Sequence, residues 1–399
     1  MTEQLEMEPF SATHARNPHP AYAWLREHSP VRRIVLPSGT PVWLVTRYSA
    51  ARQALSDPRL SKDERRRAEL AAIRFPDPIG ARMNHHMLNA DPPDHTRMRR
   101  LVSAAFTARR VESLRPRIQE ITDQLLDQVA AAAEVDLIDA FAFPLPIQVI
   151  CELLGVPLDD RDDFRAWSNT IVAGTQSGDR LYPAAVALIG YIGELIGRKR
   201  AEPADDLLSA LIQVRDDGDR LTEDELSSMV FLLLVAGHET TVNLIGNGVH
   251  ALLAHPTELA RLRAEPALLP GAIEEFLRYE GPVETSTIRV TTEPVEIADV
   301  TVPENEIVLI SLLGANRDPS RFPDADRLDL GREASQHVAF GHGIHYCLGA
   351  PLARLEGQIA IGALLARFPE WELAVPADQL AWRPGILLRG LESLPLRLR

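Results

Sequence analysis

A chain of 399 residues that is 45% hydrophobic and 25% charged has the composition of an ordinary folded protein. It exceeds the usual ceiling for one simple core, so either two domains or one large helical domain around a cofactor is expected. A formal charge of −14 excludes a general nucleic-acid binder, which needs a concentrated basic face. The opening segment Met1–Phe10 is acidic and lacks an apolar core, and the longest apolar run, Met229 to Gly237, ends at His238 and Glu239 well short of a bilayer span. These features predict a cytoplasmic protein with no signal peptide and no membrane anchor. In that compartment Cys151 and Cys347 are expected to stay unpaired, with Cys151 in the core of the apolar segment Ile147 to Leu154.

Ala21 to Glu27 reads as a short helix. The β-like runs Val31 to Leu36 and Pro41 to Thr46 are parted by Pro37-Ser38-Gly39, a hairpin signal, and Ser49 to Leu55 is a further helix. Ser61 to Asn89 sets Lys62, Arg65, Arg66, Arg67 and Arg82 against Asp63, Glu64 and Glu69 with little apolar periodicity, which reads as a solvated loop. Asp91-Pro92-Pro93-Asp94-His95 is a helix start. In that helix His95 and Arg99 lie four apart on one face, where both could reach a single anion, although a basic surface helix has the same pattern. Arg97, Arg100, Arg109 and Arg110 make a basic patch on an acidic protein, a docking surface for an acidic partner. Val111 to Ala133, Phe141 to Leu154, Asp160 to Ala173 and Ala184 to Lys199 read as helices. The break between Gly174 and Pro183 reads as a mobile connection.

Thr222-Glu223-Asp224-Glu225 is a capping box that opens a helix apolar on all faces from Met229 to Val235, and such a helix is a buried one. Ala236-Gly237-His238-Glu239-Thr240-Thr241 places glycine and four polar residues in its middle, and leaving such groups buried without partners costs about 1–3 kcal/mol each. The small residues Ala236 and Gly237 let a flat ligand approach the backbone, and Thr240 can bond the carbonyl four residues back and open a water-sized groove. A kinked core helix would account for the same residues. Leu269 to Tyr279 is a helix in which Glu275 and Arg278 can pair; an exposed pair of that kind contributes less than about 1 kcal/mol. After Gly281-Pro282 the runs Thr287 to Thr291, Val295 to Ile297 and Ile307 to Leu313 are β-like, with turns at Ala298-Asp299 and Pro303-Glu304-Asn305.

Phe340 to Arg354 holds Cys347 between a loop punctuated by Gly341, Gly343 and Gly349 and the apolar helix Leu348 to Leu365. A sulfur just ahead of a helix start meets the orphan N–H groups and the positive end of the dipole, which favour thiolate, a metal ligand or nucleophile. A small buried hydrophobe is the ordinary alternative for a lone cysteine. A zinc site from His342, His345 and Cys347 lacks both the paired spacing of structural zinc and a fourth ligand.

The stretch Phe-Gly-His-Gly-Ile-His-Tyr-Cys-Leu-Gly resembles the haem-binding signature of the cytochrome P450 family. That resemblance implies a mainly α fold with small β-sheets, an α-rich triangular prism around haem b (iron protoporphyrin IX). It implies one domain over residues 1–399, β-rich near 30–60 and 285–312, with a helical haem-binding core near 91–280 and 340–368. By the same likeness Cys347 is the iron ligand, and Phe340, Gly341 and Gly349 border the cofactor with Ala236 and Gly237. His95, Arg99, Arg289 and His345 hold the haem carboxylates, and Ser61 to Asn89 roofs the substrate while the 174–183 break opens as its lid. Ala236 to Thr241 resembles the oxygen-activation motif, in which Glu239 and Thr240 relay protons; glutamate stands where many relatives have aspartate. Glu275, Arg278 and Arg332 match the family's structural triad. Met87, Leu88, Ile171, Val172, Leu233, Val283, Thr285, Ser286, Ile386 and Leu387 are expected at the substrate pocket. The implied activity is insertion of one oxygen atom from O2 into a C–H bond of a large apolar molecule, by hydroxylation or epoxidation. Val235 to Asn247 looks most like actinobacterial macrolide and polyketide hydroxylases, with steroid- or vitamin D-like substrates second. Electrons are expected from a ferredoxin and an NAD(P)H-dependent reductase acting on a monomer. A non-catalytic haem ligand sensor, which needs no proton relay, and a peroxide-driven enzyme are the competing classes.

Overall fold

A computed structural model describes residues 8–70, 79–157, 160–172, 174–214 and 219–399. Residues 1–7 of the acidic start, 71–78 of the charged stretch and Ala173, the predicted end of a helix, lie outside the described residues. The architecture is mainly helical with three small sheets, as expected. The chain divides into two compact units interleaved in sequence.

One unit comprises residues 1–60, 116–144 and 240–399. Its largest sheet has the order β1-β2-β8-β5-β3, from Val31–Val35, Pro41–Val45, Ile307–Ile310, Arg289–Thr291 and Leu60–Ser61. β1 and β2 form the predicted hairpin, with Val31 opposite Val45 and Gly39 at φ +83° in the turn. β2 runs parallel to β8 and β8 antiparallel to β5. The run beginning at Ile307 stops at Ile310 rather than Leu313, because the Ser311 hydroxyl accepts from Gly314 N–H at 2.9 Å and caps the helix Leu312–Asn316. β6 (Val295–Ile297) and β7 (Val300–Val302) pair through Ala298 and Asp299, both at positive φ. β4 (Val135–Asp136), β10 (Pro395–Leu398) and β9 (Trp371–Leu373) complete the third sheet. The predicted helix Val111 to Ala133 is two helices, Ala108–Ser113 and Arg115–Ala130, since Pro116 has no N–H to continue the first and fits only the opening turn of the second.

The second unit comprises residues 61–115 and 145–239. Its helix Leu181–Ala201 packs on Arg161–Val172, Leu207–Gln213 and Ile79–Asn84, around Leu188, Ile192 and Leu195. The charged stretch from Ser61 is not a solvated loop. It forms the helices Glu64–Leu70 and Ile79–Asn84 and a short turn at Met87–Asn89, and Lys62 is buried. Its start is tied down by the Asp91 carboxylate, which accepts from the Ser61 hydroxyl and, at 2.9 Å, from Lys62 N–H. The predicted break near Pro183 is a 3₁₀ segment, Gly174–Arg180, after which the next helix begins at Leu181 with the proline in its first turn.

The 32-residue helix Glu223–Ala254 runs from one unit into the other. Its capping box forms: Thr222 N–H donates to Glu225 Oε2 at 2.9 Å and Glu225 N–H to Thr222 Oγ1 at 3.3 Å. Among the described residues it alone is long and apolar enough to cross a bilayer, but 67% of its most apolar window is buried inside the protein.

Candidate active site

The cysteine loop belongs to the first unit. Cys151 is buried and Cys347 exposed, and no disulfide joins them. Gly341 and Gly343 take φ of +75° and +76°, a region closed to most side chains, and a Cβ on Gly343 would also press on Leu55 O at 3.2 Å. These two turns fold the loop back so that Cys347 N–H donates to Phe340 O at 2.9 Å. Gly349 has ordinary φ and caps Ala350–Arg367, where a Cβ would stand 3.9 Å from the Cys347 sulfur. Phe340, Gly341 and His345 are half-buried in this loop.

Arg289 opens β5 and is 4% exposed, its guanidinium donating to Leu60 O at 3.4 Å. Glu275 and Arg278 are fully buried, so the low worth of an exposed pair does not apply to them. Arg278 Nε and Nη2 donate to the two Glu275 oxygens at 2.7 and 2.8 Å, and Arg332 Nε lies 3.3 Å from Glu275 Oε1. Arg278 also donates to Asn316 O and Ala325 O. The Val283–Ser286 segment lies beside residues 386–388: Val283 bridges Leu388, Glu284 N–H donates to Leu387 O at 2.8 Å, and Thr285 Oγ1 donates to Ile386 O at 2.6 Å. Leu387 is 39% exposed.

In the second unit His95 is buried and Arg99 half-buried on Asp94–Ala105. Met87 is buried, while Leu88, Ile171 and Leu233 are half-buried; Val172 lies in a described helix, but its side chain is outside the description. Arg97 pairs with Glu225 and Asp219, and Arg110 with Asp205 at 2.9 Å, so these arginines of the basic patch are already engaged. Arg100 and Arg109 are exposed.

The central helix is not covered all round. Leu233, Gly237 and Thr240 are half-buried and Ala236 is exposed, and their three-and-four spacing puts them on one face. Thr241 is buried, as are His238 and Glu239, at 0% and 2% exposure. His238 is held by Leu234 O at 2.9 Å through Nδ1 and by Ser168 Oγ at 3.3 Å through Nε2, with the Phe164 ring edge-on. Glu239 Oε1 stands 3.8 Å from the same His238 Nε2. A small-residue strip carrying one hydroxyl, with a buried carboxyl beside it in sequence, can accept a flat apolar ligand and move a proton.

The sequence model described as Cytochrome P450 matches residues 9–176 and 180–388. The chain belongs to the cytochrome P450 family. Cytochrome P450 107B1 of Saccharopolyspora erythraea is 56% identical to it, covering 97% of this chain and 96% of that protein. The vitamin D(3) 25-hydroxylase of Pseudonocardia autotrophica is 52% identical over 100% of this chain and 97% of its own. Among solved structures, the bacillaene polyketide synthase cytochrome P450 PksS of Bacillus subtilis superposes with a TM-score of 0.91 at 41% identity, covering 98% of this chain and 99% of that one. This P450 is a monooxygenase and its cofactor is haem b. Bacterial P450s of this type draw electrons from redox partner proteins and bind O2 and a small molecule. The donor set fits the cofactor: an exposed thiol ahead of a helix, on a loop whose glycines remove side-chain bulk.

Sequence reasoning passed over Glu356 of this P450. It lies on the Ala350–Arg367 helix at 1% exposure, Oε2 has no hydrogen-bond partner among the described residues, and burial pushes its carboxyl up to about 8. An acid on an otherwise apolar helical face, two turns beyond the cysteine, was the available signal.

Proposed function

We propose that this P450 hydroxylates, and at suitable positions epoxidises, a large apolar natural product of the macrolide or polyketide kind in secondary metabolism. The observation that carries the reading is the uncovered face Leu233, Ala236, Gly237 and Thr240 on an otherwise largely buried helix. Apolar side chains left half-buried or exposed at Val283, Ile386 and Leu387, beside the buried Thr285 and Ser286, suit a large molecule with few polar groups. Likeness to a polyketide synthase P450 supports the same class. A sterol-like substrate is the second reading, favoured by the 52% identity to a vitamin D(3) hydroxylase.

Haem held through Cys347 supplies the activation of O2. The residues suited to its two carboxylates are His95, Arg99, Arg289 and His345, because charge-assisted bonds are the strong ones. Thr240 and Glu239 handle the protons. A ferredoxin, reduced by an NAD(P)H-dependent reductase, docks on the exposed arginines in the cytoplasm.

The test is a panel of macrolactones and secosteroids titrated against the holoenzyme, read by the spin-state shift and by product analysis with a surrogate ferredoxin system. A shift and an oxygenated product with macrolactones are expected. Response to secosteroids alone would overturn the substrate class. In the same series Cys347→Ser should abolish the red-shifted Soret band of the reduced CO complex, and survival of that band would refute the ligand.

A further inference from the structure

The cysteine loop is fastened by a cluster outside the triad. Glu274 precedes Glu275 on the Leu269–Tyr279 helix and reaches a different arginine, Arg354, seven residues beyond Cys347. Arg354 Nε donates to Glu274 Oε1 at 2.6 Å and Nη2 to Oε2 at 2.8 Å, a fork-on-fork pair. The same guanidinium lies 4.5 Å from the centroid of the Phe340 ring and donates from Nη1 to Tyr346 Oη at 3.4 Å. Phe340 begins the loop and Tyr346 immediately precedes the cysteine. His337 closes the arrangement: its Nε2 stands 3.2 Å from Glu274 Oε2, its Nδ1 accepts from Ala339 N–H at 3.1 Å, and its ring is tilted against Phe340 at 5.8 Å.

One carboxylate therefore gathers the segment entering the loop, the residue before the sulfur and the helix leaving it. We propose that Glu274, Arg354 and His337 form a clamp that positions the Cys347 sulfur, acting on the thiolate through the loop rather than touching the cofactor. A plain surface ion pair would not stack on one loop residue and bond a second. Burial pushes the Glu274 carboxyl up, but hydrogen bonds from Arg354 and His337 outweigh it and hold the group at about 2, so this carboxylate stays charged across the physiological range. Lysine cannot replace the arginine, because a point charge gives neither the fork nor the planar stack.

The proposal rests on the P450 reading, and the experiment separates the two. Holoenzymes carrying Arg354→Lys, Arg354→Gln, Glu274→Gln and the Glu274→Gln/Arg354→Gln pair are held at fixed raised temperature. The half-life of the red-shifted Soret band of the reduced CO complex is followed with far-ultraviolet circular dichroism, and the reduction potential is measured separately. Each single variant should shorten the half-life roughly tenfold, as expected for loss of a charge-assisted bond, while helix content persists. The double variant should be no worse than the singles, the mark of a shared interaction. A displaced potential in Arg354→Lys is expected as well. Unchanged half-life and potential overturn the clamp, and so does band loss that only accompanies unfolding. A band that persists in Cys347→Ser instead overturns the P450 ligand assignment itself.

Discussion

Two helices of the same unit each bury a glutamate, and they treat it in opposite ways. On Leu269–Tyr279, Glu275 at 0% exposure meets Arg278, Arg332 and the Asp329 N–H. On Ala350–Arg367, Glu356 at 1% exposure leaves Oε2 without a partner among the described residues. Burial is equal, so partners decide the outcome. The first carboxylate, together with the Arg278 it holds, ties the 316–332 segment to its helix. The second, pushed up to about 8 by desolvation, keeps its proton at neutral pH and ties nothing down through that oxygen. A buried acid surrounded by arginines marks scaffold, whereas one left unsatisfied marks a cost retained for some other reason.

Breaking the partnered side should have the largest effect. Arg278→Ala removes the bidentate partner of buried Glu275, leaving it the Arg332 Nε at 3.3 Å and the Asp329 N–H, and frees the carbonyls of Asn316 and Ala325. Removing one member of a buried pair costs about 3–5 kcal/mol, so the variant should unfold at much lower denaturant or fail to accumulate with haem. A loss below about 1 kcal/mol in urea titration would mean that the pair behaves as an exposed one.

The other side should respond through pH. Free glutamate titrates near 4.3, at about that value in the unfolded chain, while Glu356 in the folded chain titrates at about 8. Between these values the folded state holds a proton that the unfolded state has released, so stability falls as pH rises from about 5 to about 8, by at most ~1.4 kcal/mol per pH unit. Glu356→Gln should flatten that slope and leave stability at pH 5 nearly unchanged. An identical slope in the variant, measured by urea unfolding at several pH values, would show that the carboxyl does not hold its proton.

What could be read from the chain follows the same division between local and distant partners. The Thr222–Glu225 capping box, the Gly39 turn and the Leu269–Tyr279 helix were legible because their determinants lie within a few residues. Burial of the Glu275–Arg278 pair was not, since the 316–332 segment that covers it contributes its contacts 38 to 49 residues later. The charged run from Ser61 looked like a loop because Asp91, thirty residues on, supplies the acceptor that fixes its start. Apolar residues all round the central helix implied burial, and periodicity gave no sign of the face shared by Leu233 and Thr240, although the small residues Ala236 and Gly237 marked where a flat ligand can approach. The break at Pro116 was legible from the missing N–H and was passed over in favour of a longer periodic run.

The smallest expected effect concerns the same contrast at the surface, in adjacent arginines. Arg110 pairs with Asp205 at 2.9 Å and donates to Asp206 O, so its charge is compensated within its own unit. Arg109 is exposed and makes no ion pair among the described residues. An incoming acidic protein gains more from an uncompensated charge, and the gain is screened over about 8–10 Å at physiological salt. Arg109→Gln should therefore flatten the ionic-strength dependence of electron transfer from a ferredoxin in stopped-flow reduction, by a few-fold in rate at low salt. Arg110→Gln should change it less, because removing the arginine also leaves the exposed Asp205 charge unpaired toward the same partner and any loss reflects repulsion as much as a missing attraction. Equal slopes for both variants and the parent would place docking elsewhere. A larger effect at Arg110 would mean that the partner breaks the Asp205 pair on arrival, and would make that pair part of the docking event rather than part of the fold.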